Sequence, residues 1–198
     1  VLYASNDTSY NRRGISLYLN KGDAQQDSFV LASESFMTEE VVDLGEGTHP
    51  AFFDYNADGK IDLVVGKCVA ISDSANGFNW GLTLYKNTGT NAHPEYTWIT
   101  DDYQGLSSLQ RYSLAPTFGD IDMDGDDDLL LGVSTGEILW FENTAGSGQP
   151  ASFDLNYKTL SGLQTVNSFP TPQIVDVNKD GYPDVISGSF DGRAYYFE

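Results

Sequence analysis

Asp120-Ile121-Asp122-Met123-Asp124-Gly125-Asp126-Asp127-Asp128 is the stretch that decides how this chain reads, because the same nine-residue pattern occurs twice more. It returns as Asp54-Tyr55-Asn56-Ala57-Asp58-Gly59-Lys60-Ile61-Asp62 and as Asp176-Val177-Asn178-Lys179-Asp180-Gly181-Tyr182-Pro183-Asp184. The common form is D-x-[DN]-x-D-G-x-x-D. Oxygen-bearing side chains stand at positions 1, 3, 5 and 9, and the glycine at position 6 allows the sharp turn that closes the loop on itself. Such a donor set suits a hard cation, above all Ca²⁺, which takes six to eight oxygen ligands at about 2.3–2.6 Å. The expected side-chain ligands are Asp54, Asn56, Asp58 and Asp62, then Asp120, Asp122, Asp124 and Asp128, then Asp176, Asn178, Asp180 and Asp184. Backbone carbonyls of Lys60, Asp126 and Tyr182 at position 7 complete each ring. About three Ca²⁺ ions, one per loop, follow from this.

Other uses of the spacing fit less well. An EF-hand needs Glu at position 12, where this chain has Val65, Leu131 and Ser187, and strand-like runs replace its flanking helices. A dockerin fails on the same points, and thrombospondin-type calcium repeats rely on many cysteines. Solvated turns without metal would crowd three or more carboxylates into one turn, which like-charge repulsion disfavours.

Outward from the loops, each is framed by the same elements. A short apolar run leads in: Pro50–Asp54, Pro116–Asp120 and Pro172–Asp176. A second run leads out and ends in glycine: Ile61–Gly66, Asp127–Gly132 and Pro183–Gly188. Its near-continuous Val, Ile and Leu content predicts central strands buried on both faces. A third run follows at Gly81–Asn87, Gly136–Asn143 and Gly192–Phe197, where alternation predicts half-exposed antiparallel strands. Asn-Thr-Gly at 87–89 and Asn-Thr-Ala-Gly at 143–146 are turn signals, and fourth strands are expected near Tyr96–Thr100 and Ser152–Leu155. The start of the chain fits the same frame without its loop, with strands near Val1–Ser5, Gly14–Gly22 and Phe29–Ser33.

The loop glycines are 66 and 56 residues apart. A four-stranded antiparallel unit of that length reads as a propeller blade. The expected organisation is a partial blade without a calcium loop at 1–48, a blade at 49–113 with loop 54–62, a blade at 114–169 with loop 120–128, and a partial blade at 170–198 with loop 176–184. Closed propellers use about four to eight blades. The fold class is therefore all-β, an arc of about three and a half four-stranded blades belonging to a larger propeller. The remaining blades would lie elsewhere in the same polypeptide or in another chain.

These blocks, of which Phe118-Gly119-Asp120 with Asp124-Gly125 and Asp128-Leu-Leu-Leu-Gly132 is the best, resemble the FG-GAP/VCBS repeats of integrin α-chain-like propellers. The resemblance covers residues 49–198, and 1–48 by phase only. It implies a Ca²⁺-loaded, extracellular β-propeller. No Gly-Ala-Pro follows the second strands, which continue Gly66-Lys-Cys, Gly132-Val-Ser and Gly188-Ser-Phe; that departure favours the VCBS-like variety of secreted bacterial proteins.

Bulk properties narrow the function. A hydrophobic content of 40% supports a sizeable core, and a formal charge of −19 would repel nucleic acid and anionic membranes. The three loops hold 12 of the 29 acidic residues, so part of that charge is site charge. No run approaches the roughly 18 apolar residues of a membrane span. Cys68 is the single cysteine, so no internal disulfide forms; beside Val64, Val65 and Val69 it reads as a small buried hydrophobe. His49 and His93 read as surface residues. Because the carboxylates recur in three equivalent units, whereas an active site is singular, no enzymatic role is expected.

Strand alternation puts the calcium loops on one face of the disc and the other connections on the opposite face. That second face comprises Ser5–Arg13, Ala70–Trp80, Asp101–Ser113 and Ser161–Phe169, with Tyr10, Arg12, Arg13, Phe78, Trp80, Tyr103, Arg111 and Tyr112 as an Arg/aromatic set typical of binding hot spots. A secreted or cell-surface module that recognises a protein or glycan is the expected function. The alternatives are a lectin-type sugar-binding module, or the propeller part of a carbohydrate-active enzyme. Asn6-Asp-Thr8 is a glycosylation sequon.

Overall fold

The computed structural model describes residues 2–4, 15–23, 26–36, 47–68, 72–73, 77–78, 80–159 and 168–198. The sequon at Asn6, the loop residues Tyr10, Arg12 and Arg13, and all of 161–167 lie outside the described residues. Within the described residues the chain is all-β, with four larger antiparallel sheets arranged in sequence order and one two-stranded hairpin.

The first sheet contains β1 (Leu2–Ala4), β2 (Ile15–Asn20) and β3 (Phe29–Phe36) in that order. The second contains β4 (His49–Phe53), β5 (Asp62–Gly66), β8 (Thr83–Asn87) and β9 (Tyr96–Thr100), with the hairpin β6 (Ser72–Asp73) and β7 (Gly77–Phe78) between β5 and β8. The third contains β10 (Ala115–Gly119), β11 (Asp128–Gly132) and β12 (Ile138–Phe141). Its outer edge carries two isolated bridges, Trp140 to Lys158 and Asn143 to Phe153; the fourth strand expected near Ser152–Leu155 is reduced to the second of them. The last contains β13 (Thr171–Val175), β14 (Asp184–Gly188) and β15 (Ala194–Phe197).

Registers repeat from sheet to sheet. Phe53 pairs with Asp62, Gly119 with Asp128 and Val175 with Asp184, so each nine-residue loop spans the same strand-to-strand turn. Further along, Leu63 faces Tyr85, Leu129 faces Phe141 and Val185 faces Phe197. The first strands β4, β10 and β13 lie side by side, so the sheets stack face to face.

Two apolar seams hold the stack together. Between the second and third sheets, Phe53, Val64, Leu82 and Leu84 meet Leu129, Leu131, Leu139 and Phe141. The rings of Phe53 and Phe118 stack there at 4.4 Å and 4°. Between the third and fourth sheets, Leu130, Ile138 and Trp140 meet Val185, Ile174, Tyr195 and Phe197. Burying each Leu, Val or Phe side chain contributes about 1.5–3 kcal/mol. The seam requires glycine where a second strand ends: a Cβ on Gly66 would sit 1.9 Å from the Leu114 carbonyl oxygen, and one on Gly132 2.1 Å from that of Pro170.

The second strands behave as expected, with β5 and β11 buried at every residue. The third strands do not. Alternation appears in β15, whereas β8 and β12 are buried almost throughout. Inner sheets are covered on both faces, so even the polar Thr83 has no water-facing side. A second difference is the turn of 3₁₀ helix at Tyr103–Leu109, which tucks Tyr103, with Leu106, into the first seam instead of presenting Tyr103 to solvent. His49 is also no simple surface residue: it lies within β4, half-buried, opposite Gly66. Among the described residues no helix is long and apolar enough to cross a membrane.

Candidate metal centres

Each loop is organised first by its own carboxylates. The position-1 side chain accepts two backbone N–H groups: Asp54 from Asp58 and Gly59, Asp120 from Asp124 and Gly125, Asp176 from Asp180 and Gly181, at 2.7–3.2 Å. The position-3 oxygen accepts from the position-5 N–H in all three, and the position-5 carboxylate from the N–H of Lys60, Asp126 or Tyr182. Gly59, Gly125 and Gly181 have φ of 81°, 96° and 90°. Space around these loop glycines does not explain them: a Cβ on Gly59 or Gly181 would meet nothing within 4 Å, so the requirement is conformational. Position 4 is also left-handed, with φ of 56° at Ala57, 64° at Met123 and 62° at Lys179. That strain costs about 1–2 kcal/mol per residue, and the paired Asp acceptors on the next N–H hold it.

Position 9 has a different setting. Asp62, Asp128 and Asp184 open the second strands and are nearly inaccessible. Asp62 accepts the N–H of Asn87 (2.7 Å) and of Tyr55 (3.3 Å); Asp128 accepts those of Asn143 (2.7 Å) and Ile121 (3.3 Å); Asp184 accepts that of Val177 (2.8 Å). Asp62 and Asp128 thereby tie the loop to the end of the third strand, whereas the Asp184 bond closes its own loop. Burial pushes the Asp62 and Asp128 carboxyls above the usual carboxylate range, partly offset by the backbone donors.

Asp120, Asp122 and Asp124 form a group whose carboxylate oxygens lie within 4.8 Å of one another. Asp126 adds an observation that points to a ligand. The residue is 7% exposed, one side-chain oxygen accepts the Gly146 N–H at 2.7 Å, and the other is buried with no hydrogen-bond partner. Burial and the neighbouring Asp124 and Asp122 charges push its carboxyl up. An all-oxygen donor set with a buried, unsatisfied carboxylate oxygen fits a divalent hard cation. Asp126 thus brings a side chain where only a carbonyl is expected from the pattern.

The loops are braced by the turns after the third strands. Asn87 and Asn143 accept, with their side-chain oxygens, the N–H groups of Gly89 and Glu95 and of Ala145 and Ser152. Asn91 reaches the first loop, accepting from Ile61 N–H at 2.8 Å and donating to the Gly59 carbonyl at 2.9 Å. In sequence Asn91 is one more turn residue, and only its position across the sheet reveals this role.

Of the residues expected on the opposite face, Tyr103 is buried at 5% exposure, packed edge-on against Tyr55 and Phe153, and is withdrawn from any surface. Trp80 is half-buried with its ring 5.8 Å from that of Tyr112, and Tyr112 is exposed. Arg111 pairs with Glu137 at 3.4 Å. Phe78 lies in β7. Cys68 is half-buried, with Sγ 2.9 Å from the Ser113 hydroxyl.

Residues 120–187 match the family model of the FG-GAP-like repeat. The match opens on the first aspartate of the second loop and closes one residue before the glycine that ends β14. No curated protein matches the chain.

Proposed function

We propose that this chain is an arc of a calcium-stabilised β-propeller of the VCBS-like variety, working outside the cell in protein or glycan recognition. The observation that carries the calcium part is the Asp120, Asp122 and Asp124 group with the unpartnered Asp126 oxygen beside it, inside the stretch that matches the FG-GAP-like repeat. The side chains of each loop, with the position-7 carbonyls, would hold the ion, which neutralises the clustered carboxylates and stiffens the turn between the first two strands.

The stacked sheets support the arc. Trp140 and Ile121 of the third sheet are covered by the fourth, while their equivalents Tyr196 and Val177 on the fourth are 49% and 47% exposed. A further blade, in the same polypeptide or another chain, would cover them as the fourth sheet covers the third. The role is non-enzymatic: the acidic groups recur as equivalents in three loops. Recognition is assigned to the far connections, where the Trp80–Tyr112 pair offers an aromatic surface.

Calorimetry in Ca²⁺ and in excess EDTA tests the first part, and an unchanged melt removes it. A glycan array run in Ca²⁺ tests the second. Binding lost in Tyr112→Ala assigns sugar recognition, and silence on the array leaves a protein ligand.

A further inference from the structure

The three loops share a pattern but not an electrostatic setting. The register that pairs Leu63 with Tyr85, Leu129 with Phe141 and Val185 with Phe197 makes Lys86, Glu142 and Glu198 equivalent, each the residue that follows the pair. In the first loop Lys86 Nζ lies 3.0 Å from Asp58 Oδ2, the same oxygen that accepts the Asn56 side-chain amide at 3.1 Å. In the third loop the equivalent Glu198 instead accepts from the Asn178 amide at 3.0 Å, and in the second Glu142 turns to Lys158.

Other positions separate the loops in the same direction. Position 3 is Asn56 and Asn178 but Asp122; position 7 is Lys60 and Tyr182 but Asp126. The second loop therefore gathers carboxylates with no ammonium among its partners within the described residues, and one of its buried oxygens is unsatisfied. The first loop already holds an ammonium on its position-5 carboxylate.

We propose that Lys86 is a built-in counter-cation of the first loop, so that the loops bind Ca²⁺ in a graded order, with 120–128 tightest and 54–62 weakest. This rests on the calcium reading above and deepens it. An ammonium on the position-5 oxygen must be displaced before a divalent ion can use that oxygen, and its charge repels the ion meanwhile. In the second loop every side-chain donor the ion would meet is a carboxylate.

Site-resolved NMR tests this with Ca²⁺ alone as the probe, since Gly59, Gly125 and Gly181 place one backbone amide in each loop. The expected result is that Gly125 responds at the lowest Ca²⁺ concentration and Gly59 at the highest. Lys86→Met should move the Gly59 midpoint about tenfold lower, as expected from removing one partly exposed like charge, with Gly125 unmoved. Lys86→Arg, which keeps the charge, should leave Gly59 where it was. Equal midpoints for Gly59 and Gly125, or a Gly59 midpoint unchanged by Lys86→Met, overturn the graded order while leaving the calcium reading intact. If no glycine amide responds to Ca²⁺, the calcium reading fails and this proposal with it.

Discussion

Asn143 donates its backbone N–H to the Asp128 carboxylate at 2.7 Å, and Asn87 makes the same bond to Asp62 at the same distance. A carboxylate at the start of the second strand thus holds the end of the third, and through Ile121 or Tyr55 the start of the loop. Asp128→Ala strands two backbone donors around a site with 1% exposure. The expected loss is about 2–4 kcal/mol, from unsatisfied buried donors. Urea unfolding in excess EDTA measures it apart from metal effects, and a loss that disappears in EDTA would make Asp128 a ligand alone.

Calcium should add to that framework. At a free concentration of 100 times Kd, one site contributes about 2.7 kcal/mol, which for a chain of this size is roughly 5–10 °C in Tm. Chelation should lower the melt by at least that much, and Asp124→Ala by less, because it disables one loop of three. Scanning calorimetry of both proteins, with and without EDTA, checks the order.

The seam glycines give a contrast between equivalent positions. Gly132→Ala places a Cβ 2.1 Å from a backbone oxygen, which cannot swing away, and should cost about 1–3 kcal/mol or more. At Gly188 the neighbour is the Thr171 hydroxyl at 2.9 Å, which can rotate, so Gly188→Ala should cost under about 1 kcal/mol in this chain. Equal destabilisation of the two variants would contradict the seam as described.

His49 adds a pH dependence. Burial holds its imidazole below the usual 6.5, so the folded state resists protonation more than the unfolded one does. The contribution is fully present above pH 6.5 and declines as pH falls from there through the lowered folded value. His49→Gln should flatten this part of the stability profile, which chemical unfolding between pH 5 and 8 reads as a lost slope.

Much of the loop chemistry was legible in one dimension, because a turn of nine residues is satisfied almost wholly within itself. The spacing that suggests ligands also supplies the acceptors for the turn's own N–H groups. The left-handed residues Ala57, Met123 and Lys179 were not legible, since none is a residue that favours positive φ; hydrogen bonding to the next amide selects that conformation. The alternation expected of the third strands misled for β8 and β12, because alternation reports a strand's own two faces and not what covers them.

By itself, then, the amino-acid order determined the three loops, the strands that flank them and the repeat, because each turn is closed by contacts a few residues apart; the hairpin β6–β7 and the 3₁₀ turn at Tyr103–Leu109 lay beyond it. The stacking of sheets was decided in three dimensions, where Phe53 meets Phe118 and Gly132 meets Pro170. So was the difference between loops that look alike. Lys86 lies 28 residues beyond Asp58 in the chain, and only strand pairing brings the ammonium to the carboxylate. Charge acts through space, so equivalence in sequence is not equivalence in field.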